Sequence, residues 1–437
     1  METIKTSKII LIGLLLCNAL LLLTLYIQHG AVVFNDSHQY QRLANSIANG
    51  EFGSTIEGTY YPEALRLVGY PFFIFVCQSI FGQNVLAVVI PQIILHFVAL
   101  WLVFSATKNA FGQTTGFIFL ALSAAYPVIS YSALTMLPET ITIFLFALAV
   151  FLLSKQDYRR RVLNFVAAGI ILGVSFYVRP NLLPIALITG LFVFIGVRRY
   201  RRLTVLLITA LLITVAPQAI FNYLTFGIIS PTTAQAGFEI VLYQGTLESA
   251  GKMGTKEGTY EAIDDERIQK QLREIKNTLG LPPHEMIYAV LDKSEPGQIL
   301  LTKRTLRQAS FENISFSPLT YIIWSLKNVP RMWIDFFDLP PDASRIYRYA
   351  GLLWGLVVLL FAITGCIIGI SSKNEDAHFF GIFAGGTIFA FSFTLCWLHF
   401  ETRYANTAKF IFLAVAAVAI HHLLSKLSLL KRETIKT

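Results

Sequence analysis

The stretch from residue 9 to residue 27, IILIGLLLCNALLLLTLYI, decides the class of this protein. It contains no charged residue, and its length is close to the roughly 20 apolar residues that cross a bilayer as a helix. Because no small-residue cleavage site follows it, we predict that it remains in the chain as an uncleaved helix. The sequence therefore predicts an integral membrane protein.

The composition extends this prediction to the whole chain. Of the 437 residues, 55% are apolar and 14% are charged, which a water-soluble domain of this size could not hide in its core. Apolar segments of spanning length predict ten crossings, at residues 7–28, 84–106, 114–131, 138–154, 162–178, 181–197, 203–221, 349–370, 378–398 and 404–424. The predicted fold class is an all-α polytopic membrane protein with about ten transmembrane helices.

The distribution of basic residues predicts the orientation of these crossings. Sixteen of the 35 Lys and Arg residues fall on the side of the N-terminus, in the N-terminal segment, in the short connections on that side and in the C-terminal tail. Because cytoplasmic loops collect Lys and Arg, we predict that both termini are cytoplasmic. This placement explains the net charge of +9 without a nucleic-acid partner. The sequence contains nothing that resembles a eukaryotic retention signal, so we predict a bacterial inner membrane.

Two outer stretches are longer than a connection requires. The first, residues 29–83, contains an amphipathic helical pattern at 37–48 and an apolar piece at 70–81 that is too short to span, and both are predicted to lie along the membrane surface. The second contains a charged helical pattern at 260–279 and an interfacial helix at 318–337. We therefore divide the chain into an N-terminal transmembrane module (1–222) with a catalytic outer loop (29–83), a mixed, mainly helical extracytoplasmic domain (223–348) and C-terminal transmembrane helices (349–437).

Asp36 is the first carboxylate on the predicted outer face. It follows the first helix within Asn35-Asp36-Ser37-His38, where a carboxylate would face a cavity open to the outer surface. A structural alternative is that Asp36 is the N-cap of the next helix and that Gln39 completes a capping box. The two roles are compatible.

Four further charged residues lie at the same predicted depth. Glu139 starts the fourth crossing, Arg179 joins the fifth and sixth crossings, and Glu401 and Arg403 precede the last crossing. The structural alternatives are a carboxylate beside a helix N-terminus, a snorkelling arginine and a surface ion pair. Because these residues are hundreds of positions apart and share one depth, we predict that they converge on one site.

The residue types indicate the chemistry of that site. A guanidinium matches a phosphate held at the membrane interface, and a carboxylate suits a base that removes a proton from an acceptor hydroxyl. His38 and His399 lie at the same depth and could ligate a metal, but the sequence supplies no clear third ligand. The sequence therefore predicts no required cofactor and leaves a divalent metal as an unsupported alternative.

The chain resembles the GT-C membrane glycosyltransferases related to dolichyl-phosphate-mannose protein mannosyltransferases and to the bacterial aminoarabinose transferases of lipid A. The resemblance is carried by blocks that recur in the same order: Asp36-Ser37 with Tyr40 and Leu43-Ala44, Gly50-Glu51-Phe52-Gly53, Arg66 with Gly69-Tyr70-Pro71-Phe72, Pro138-Glu139-Thr140, Arg179-Pro180-Asn181-Leu182, and Glu401 with Arg403-Tyr404. They cover about 400 residues, apart from most of the large outer loop.

The resemblance implies an inverting transfer of a sugar from a polyprenyl-phosphate donor to an acceptor hydroxyl on the outer face. Asp36 matches the catalytic carboxylate and is the predicted general base. The predicted substrate contacts are Glu139, Arg179, Arg66, Glu401, Arg403, Tyr404, Tyr70 and His38. The implied partners are the lipid-linked donor, a lipid, glycan or protein acceptor, and membrane lipids.

Two other functions are compatible with a polytopic chain. A transporter of a lipid-linked or anionic substrate predicts repeated halves and broken helices at the midplane, and the sequence shows neither. A membrane acyltransferase needs a nucleophile or a His at its site, for which His38 is the candidate near Asp36. The glycosyltransferase is the preferred prediction.

Overall fold

A computed structural model describes residues 2–56, 58–154, 160–251, 265–282, 287, 291, 295–334, 345–399 and 401–434. Helices account for most of the described residues. In chain order they are α1 (Glu2–His29), α2 (Asn35–Ala48), α3 (Gly69–Phe81), α4 (Val85–Phe111), α5 (Gln113–Ala124), α6 (Pro127–Ser132), α7 (Glu139–Leu153), α8 (Arg161–Val178), α9 (Leu182–Gly196), α10 (Arg201–Phe226), α11 (Gly237–Ser249), α12 (Glu266–Thr278), α13 (Pro296–Phe316), α14 (Pro318–Ile334), α15 (Arg345–Ile370), α16 (Glu375–Leu395) and α17 (Asn406–Thr434).

The predicted helical membrane fold is confirmed. Each of the ten apolar segments forms helix, and seven of the helical stretches in the described ranges are long and apolar enough to cross a membrane. These are Thr6–His29, Val85–Phe111, Arg161–Val178, Arg198–Phe226, Tyr349–Ile370, Glu375–Leu395 and Arg403–Ser428. The other three segments form the shorter helices α5 with α6, α7 and α9.

The segment predicted as one crossing at 114–131 is divided in the structure. Helix α5 ends at Ala124, and α6 begins at Pro127 after the non-helical Tyr126. Proline favours the first position of a helix and lacks the N–H that would continue the preceding one, which explains the break. The break lets α6 turn toward the start of α7, where Thr140 Oγ1 donates to the carbonyl of Ser132.

Helix α17 lies at the centre of the bundle and leads directly from the predicted site. Its residues from Asn406 to Ala417 are all buried, and it packs against α15, α5, α7 and α4. A run of small side chains within it, Ala414-Val415-Ala416-Ala417, allows neighbouring helices to approach closely. The preceding turn, Thr402–Ala405, therefore leads directly into a buried part of the bundle.

The outer stretches contain the elements that were expected, together with a hairpin that was not. The amphipathic pattern at 37–48 is α2, and the short apolar piece at 70–81 is α3. Between them, β1 (Gly53–Ile56) and β2 (Thr59–Pro62) pair antiparallel. This hairpin ends beside the turn that carries Arg66, so it helps to place that residue.

Helices α11 to α14 lie in the stretch predicted as the outer domain. Buried apolar side chains of α11, α12 and α13 pack together, among them Ile240, Tyr243, Ile268 and Leu306. The charged pattern at 260–279 corresponds to α12, with residues 260–264 outside the described ranges, and the interfacial pattern corresponds to α14, with 335–337 outside them. The proposed domain limits, 223 and 348, remain predictions.

Contacts at the two ends of the bundle agree with the alternating path predicted for the chain. Arg161 lies 4.0 Å from Asp376, and Arg199 pairs with Glu375, so residues predicted for the cytoplasmic side meet one another. Residues predicted for the outer side meet at the other end, as shown below. Which end faces the cytoplasm remains the prediction made from the basic residues.

Candidate active site

Asp36 lies in the first turn of α2 and binds two arginines from distant parts of the chain. Its Oδ1 is 3.0 Å from Nη2 of Arg66, and its Oδ2 is 3.0 Å from Nη2 of Arg403. The side chain of Asp36 is 30% exposed, and those of the two arginines are 27% and 25% exposed. This carboxylate is therefore held from both sides and remains open to a ligand.

The alternative that Asp36 serves as the N-cap of α2 is wrong. The N-cap is Phe34, and its backbone N–H donates to Oγ of Ser37 at 2.9 Å. Gln39 does not close a capping box, because its Oε1 accepts hydrogen bonds from Arg66. The side chain of Ser37, and not that of Asp36, therefore accepts the backbone hydrogen bond at the start of α2. The Asp36 carboxylate is available to bind the two arginines.

Arg66 is positioned by a turn and by two side chains of α2. Oε1 of Glu63 accepts the backbone N–H groups of Leu65 and Arg66, both at 2.7 Å, and burial raises the pKa of Glu63 above its usual value. Nη2 of Arg66 donates to Gln39 at 2.9 Å, and the guanidinium lies 5.1 Å from the ring centre of Tyr40. These contacts direct Arg66 toward Asp36.

A polar cavity of about 10 Å³ borders this turn and is lined by Gln39, Arg42, Glu63 and Arg66, among others. Its volume is that of about one water molecule. The cavity is therefore too small for a sugar.

Arg403 connects Asp36 to a second carboxylate. It lies in the turn before α17, where its Nε contacts Oε2 of Glu401 and its Nη2 reaches Asp36. Burial alone would raise the pKa of Glu401. The hydrogen bonds and charges of His399 and Arg403 outweigh burial and lower the pKa of Glu401 to about 2. Glu401 is therefore ionised and fixes one edge of the Arg403 guanidinium.

Glu139 and Arg179 form a second, buried ion pair beside this cluster. Nη2 of Arg179 lies 2.7 Å from Oε1 of Glu139, with the two side chains 10% and 2% exposed. The Tyr404 ring connects the two sites, since its centre lies 5.5 Å from the Arg179 guanidinium and 5.9 Å from that of Arg403. In the described part of the chain, Nη1 of Arg179 and Oε2 of Glu139 are buried without a hydrogen-bond partner.

Several backbone contacts bring the ends of the helices together here. Val32, before α2, pairs in parallel with Thr135, before α7. Gly69 begins α3 against the end of α8, where a Cβ atom would lie 2.6 Å from the carbonyl oxygen of Tyr177, so only glycine allows this approach. Tyr70 follows, and its hydroxyl donates to Gln92 of α4 at 2.9 Å.

The structure brings eight of the nine predicted site residues into this region. Asp36, Arg66, Glu401, Arg403, Tyr404, Glu139, Arg179 and Tyr70 are linked by the contacts above or, for Tyr70, by an edge-to-face contact with Tyr40 at 5.0 Å between ring centres. The exposed side chain of His38 is not part of this network among the described residues. The roles of the nine predicted site residues in binding or catalysis remain proposals.

The two histidines considered as metal ligands have different environments. His399 contacts Glu248 through Nδ1 and lies 3.4 Å from Glu401 through Nε2. Burial alone would lower the pKa of His399, but the hydrogen bonds with Glu248 and Glu401 outweigh it and raise the pKa to about 9. Within the described ranges, no group of three or more His, Cys, Asp or Glu residues is arranged to hold a metal ion.

Three residues that contact the predicted site residues or His399 were not identified from the sequence. Gln39 and Glu63 position Arg66, and Glu248 binds His399. The spacing of Glu63 and Arg66, three residues apart between two predicted surface elements, was a usable signal for a turn stabilised by a carboxylate. Glu248 had no such signal, because its partner is 151 residues away.

The chain is similar to known membrane glycosyltransferases in part of its sequence and in its fold. Residues 68–221, which include Tyr70, Glu139 and Arg179, match the family of dolichyl-phosphate-mannose-protein mannosyltransferases. No curated protein matches the sequence. The archaeal oligosaccharyltransferase AglB from Archaeoglobus fulgidus, solved with an inhibitory peptide and a dolichol-phosphate, is 16% identical and superposes over 98% of this chain with a TM-score of 0.53.

The chain has the fold of the GT-C membrane glycosyltransferases. It spans 52% of the AglB chain. ArnT from Cupriavidus metallidurans, solved with undecaprenyl phosphate, is 12% identical and aligns over 90% of this chain and 77% of its own, with a TM-score of 0.41. The family match confirms the predicted enzyme class, a GT-C-type glycosyltransferase, and favours it over the transporter and the acyltransferase.

Proposed function

We propose that this GT-C protein transfers a sugar from a polyprenyl-phosphate donor to an acceptor hydroxyl at the extracytoplasmic membrane surface, with inversion at the anomeric carbon. The observation that carries the proposal is the Asp36 carboxylate, held between Arg66 and Arg403 in a partly exposed position. Such a group combines a proton acceptor with two cations in one place.

The proposed reaction is a single displacement. The acceptor oxygen attacks the anomeric carbon, the bond from that carbon to the phosphate oxygen breaks, and the lipid phosphate leaves with the electron pair. Asp36 takes the proton of the acceptor hydroxyl. A carboxylate has about four lone-pair positions, and the two arginines occupy one on each oxygen, so Asp36 can accept a further hydrogen bond.

Arg66 and Arg403 suit the phosphate of the donor. The leaving phosphate gains negative charge as its bond to the sugar breaks, and fixed guanidinium groups stabilise charge that develops in this way. Their N–H groups match phosphate oxygens as well as they match Asp36, so bound phosphate would compete with Asp36 for them. The presence of dolichol-phosphate in the AglB complex, which shares this fold, supports a lipid phosphate as ligand.

The buried pair suits the sugar. Among the described residues, Oε2 of Glu139, Nη1 of Arg179 and Oδ1 of Asn406 have no hydrogen-bond partner, and Nδ2 of Asn406 donates to Ser132 near the start of α7. Buried polar atoms are nearly always hydrogen-bonded in a completed site. Sugar hydroxyls both donate and accept, so they could satisfy these acceptors and the Arg179 donor together. Tyr70 and Tyr404 would supply flat apolar faces beside them.

The acceptor would be a lipid, glycan or protein reaching the site from the outer domain, residues 223–348. The proposed orientation, with both termini cytoplasmic, rests on the asymmetry of basic residues, and the proposed bacterial inner membrane rests on the lack of a sequence resembling a eukaryotic retention signal. No cofactor is required for the displacement as proposed.

The purified protein in proteoliposomes, given a polyprenyl-phosphate donor with a radiolabelled sugar, tests this function. We expect label to appear in an acceptor and free polyprenyl phosphate to appear in equal amount. A transporter would move the intact donor between leaflets and release no polyprenyl phosphate. Intact donor after incubation with a set of lipid, glycan and peptide acceptors would contradict the proposal.

A further inference from the structure

A row of alternating charges links the outer domain to Asp36. It begins at Glu248 near the end of α11, continues through His399, Glu401 and Arg403, and ends at Asp36. The side chains of Glu248 and His399 are only 17% and 21% exposed. The row is therefore largely shielded from solvent, where ion pairs are screened less than at an open surface.

The outer domain also fixes the backbone of the segment that carries His399. The backbone N–H of His399 donates to the carbonyl of Val241 in α11 at 2.8 Å. Gly245 of α11 lies against this segment so closely that a Cβ atom would be 3.0 Å from the carbonyl carbon of Leu398. On the other side, Tyr321 and Asn328 of α14 donate to the carbonyls of Trp397 and Cys396.

The partners of His399 define its charge state. Glu248 faces Nδ1 and Glu401 faces Nε2, and an ionised carboxylate can only accept a hydrogen bond. Both ring nitrogens must therefore carry protons, which is true only of the imidazolium. A cation at this position faces one oxygen of Glu401, while the other oxygen binds Nε of Arg403.

We infer that His399 is a positioning residue for sugar transfer: its imidazolium, held by Glu248, fixes Glu401, and Glu401 aims the Arg403 guanidinium at Asp36. This inference rests on the proposed function. Through His399, side-chain contacts connect α11 to the reacting groups. Helix α11 belongs to the outer domain, where the acceptor would bind. His399 itself touches neither Asp36 nor, in this scheme, the donor phosphate.

The connection predicts a pH dependence. The charged groups that face His399 are Glu248 from α11 and Glu401 from its own segment, and α14 contributes the uncharged Asn328 and the hydroxyl of Tyr321 to the same segment. Because the pKa of His399 is raised to about 9, the cation is present below that pH and is lost as the pH rises through it. Turnover should therefore fall above about pH 9.

Kinetics of two variants of His399 test the inference. His422→Gln is the matched control, because His422 is an exposed histidine far along α17. His399→Gln should lower kcat about tenfold, since misplacing a reacting group costs this much or more, with little change in the acceptor KM. His399→Lys keeps a cation and should regain most of the loss. The decline above pH 9 should move upward in His399→Lys and disappear in His399→Gln.

A double-mutant cycle shows whether His399 acts through Glu401. If it does, His399→Gln combined with Glu401→Gln should be within about twofold of Glu401→Gln alone, because residues in one chain of contacts are not additive. The inference would be overturned if the losses of kcat in the two single variants multiplied in the double variant. Equal kcat for His399→Gln and His399→Lys, or wild-type kcat in His399→Gln, would also overturn it.

Hydrogen exchange of residues 401–405 distinguishes this inference from the proposed function. His399→Gln should speed exchange there and His399→Lys should not, whether or not a sugar donor is used. If the wild-type protein transfers no sugar but the exchange pattern holds, the proposed function fails and the positioning contact stands. Unchanged exchange in His399→Gln, with transfer by the wild type intact, contradicts the positioning role alone.

Discussion

The Asp36 cluster and the Glu139–Arg179 pair use the same chemistry, a carboxylate against a guanidinium, at neighbouring places on one face of the bundle. They differ in burial. The side chains of Asp36, Arg66 and Arg403 are 25–30% exposed, whereas that of Glu139 is 2% exposed and that of Arg179 is 10% exposed. From the sequence alone these residues were equivalent charged groups at the outer edge.

The difference in burial separates what the two sites can do. An open carboxylate with two guanidinium partners can give up one contact when a phosphate arrives, because water and the remaining partner still solvate it. A buried pair cannot, since removing one partner leaves an uncompensated charge in a poorly solvated place. We therefore expect the open cluster to determine turnover and the buried pair to determine stability as well as the shape of the sugar site.

The largest expected effect is on stability at the buried pair. Arg179→Ala should lower the free energy of unfolding by about 3–5 kcal/mol, because Glu139 would remain buried without its cation. Thermal and denaturant unfolding in detergent, followed by tryptophan fluorescence, would measure it. The double variant Glu139→Leu/Arg179→Met, which removes both charges and keeps the volume, should recover most of the loss. A loss below about 1 kcal/mol for Arg179→Ala would show that the pair behaves like a surface contact.

The next effect is on turnover at the open cluster. Asp36→Asn should lower sugar transfer by about 10² or more, since it removes the proposed base, while the protein stays folded. Asp376→Asn is the matched control, because Asp376 is an aspartate with 29% side-chain exposure that faces Arg161 at the other end of the bundle. Near-normal transfer by purified Asp36→Asn would assign the base elsewhere.

A smaller effect is expected at Arg403. Arg403→Lys should lower kcat/KM at limiting donor about tenfold, because one ammonium cannot reproduce the two-sided contact with Asp36 and Glu401. Arg161→Lys, at the opposite end of the bundle, serves as the control for exchanging arginine for lysine. Equal kinetics of wild type and Arg403→Lys would mean that a point charge is sufficient.

The smallest effect is expected at an ion pair that is more exposed than either of these sites. Arg199 and Glu375 also pair, but their side chains are 52% and 61% exposed. Glu375→Gln should change the free energy of unfolding by less than about 1 kcal/mol and leave transfer unchanged. A loss as large as that of Arg179→Ala would show that burial is not what separates these pairs.

Much of the helical architecture was predictable, because it depends on local patterns. The first helix, the amphipathic α2 and the interfacial α14 follow from hydropathy and from the helical spacing of apolar residues. The hairpin of β1 and β2 was missed because its two strands have only four residues each and no strong alternation. The break between α5 and α6 was signalled by Pro127, but the apolar residues around it favoured one crossing.

Part of the candidate site was also predictable. Lys and Arg are enriched in cytoplasmic loops, so Arg179 and Arg403 are unexpected on the predicted outer face unless they have a function there. The sequence did not predict which residues pair with these arginines. Arg179 was predicted as a substrate contact and is paired with Glu139. His399 was considered as a metal ligand and lies between two carboxylates.

The sequence by itself determined that this protein lies in a membrane and where its helices run, because the cost of burying polar groups in lipid acts on each segment of about 20 residues separately. Only the tertiary structure decided that Asp36 is shared by Arg66 and Arg403, which lie 30 and 367 positions away from it. Tertiary structure also decided that one ion pair is buried and the other open. Charge pairing depends on distance and solvent access in three dimensions, and neither quantity is a property of a local stretch of chain.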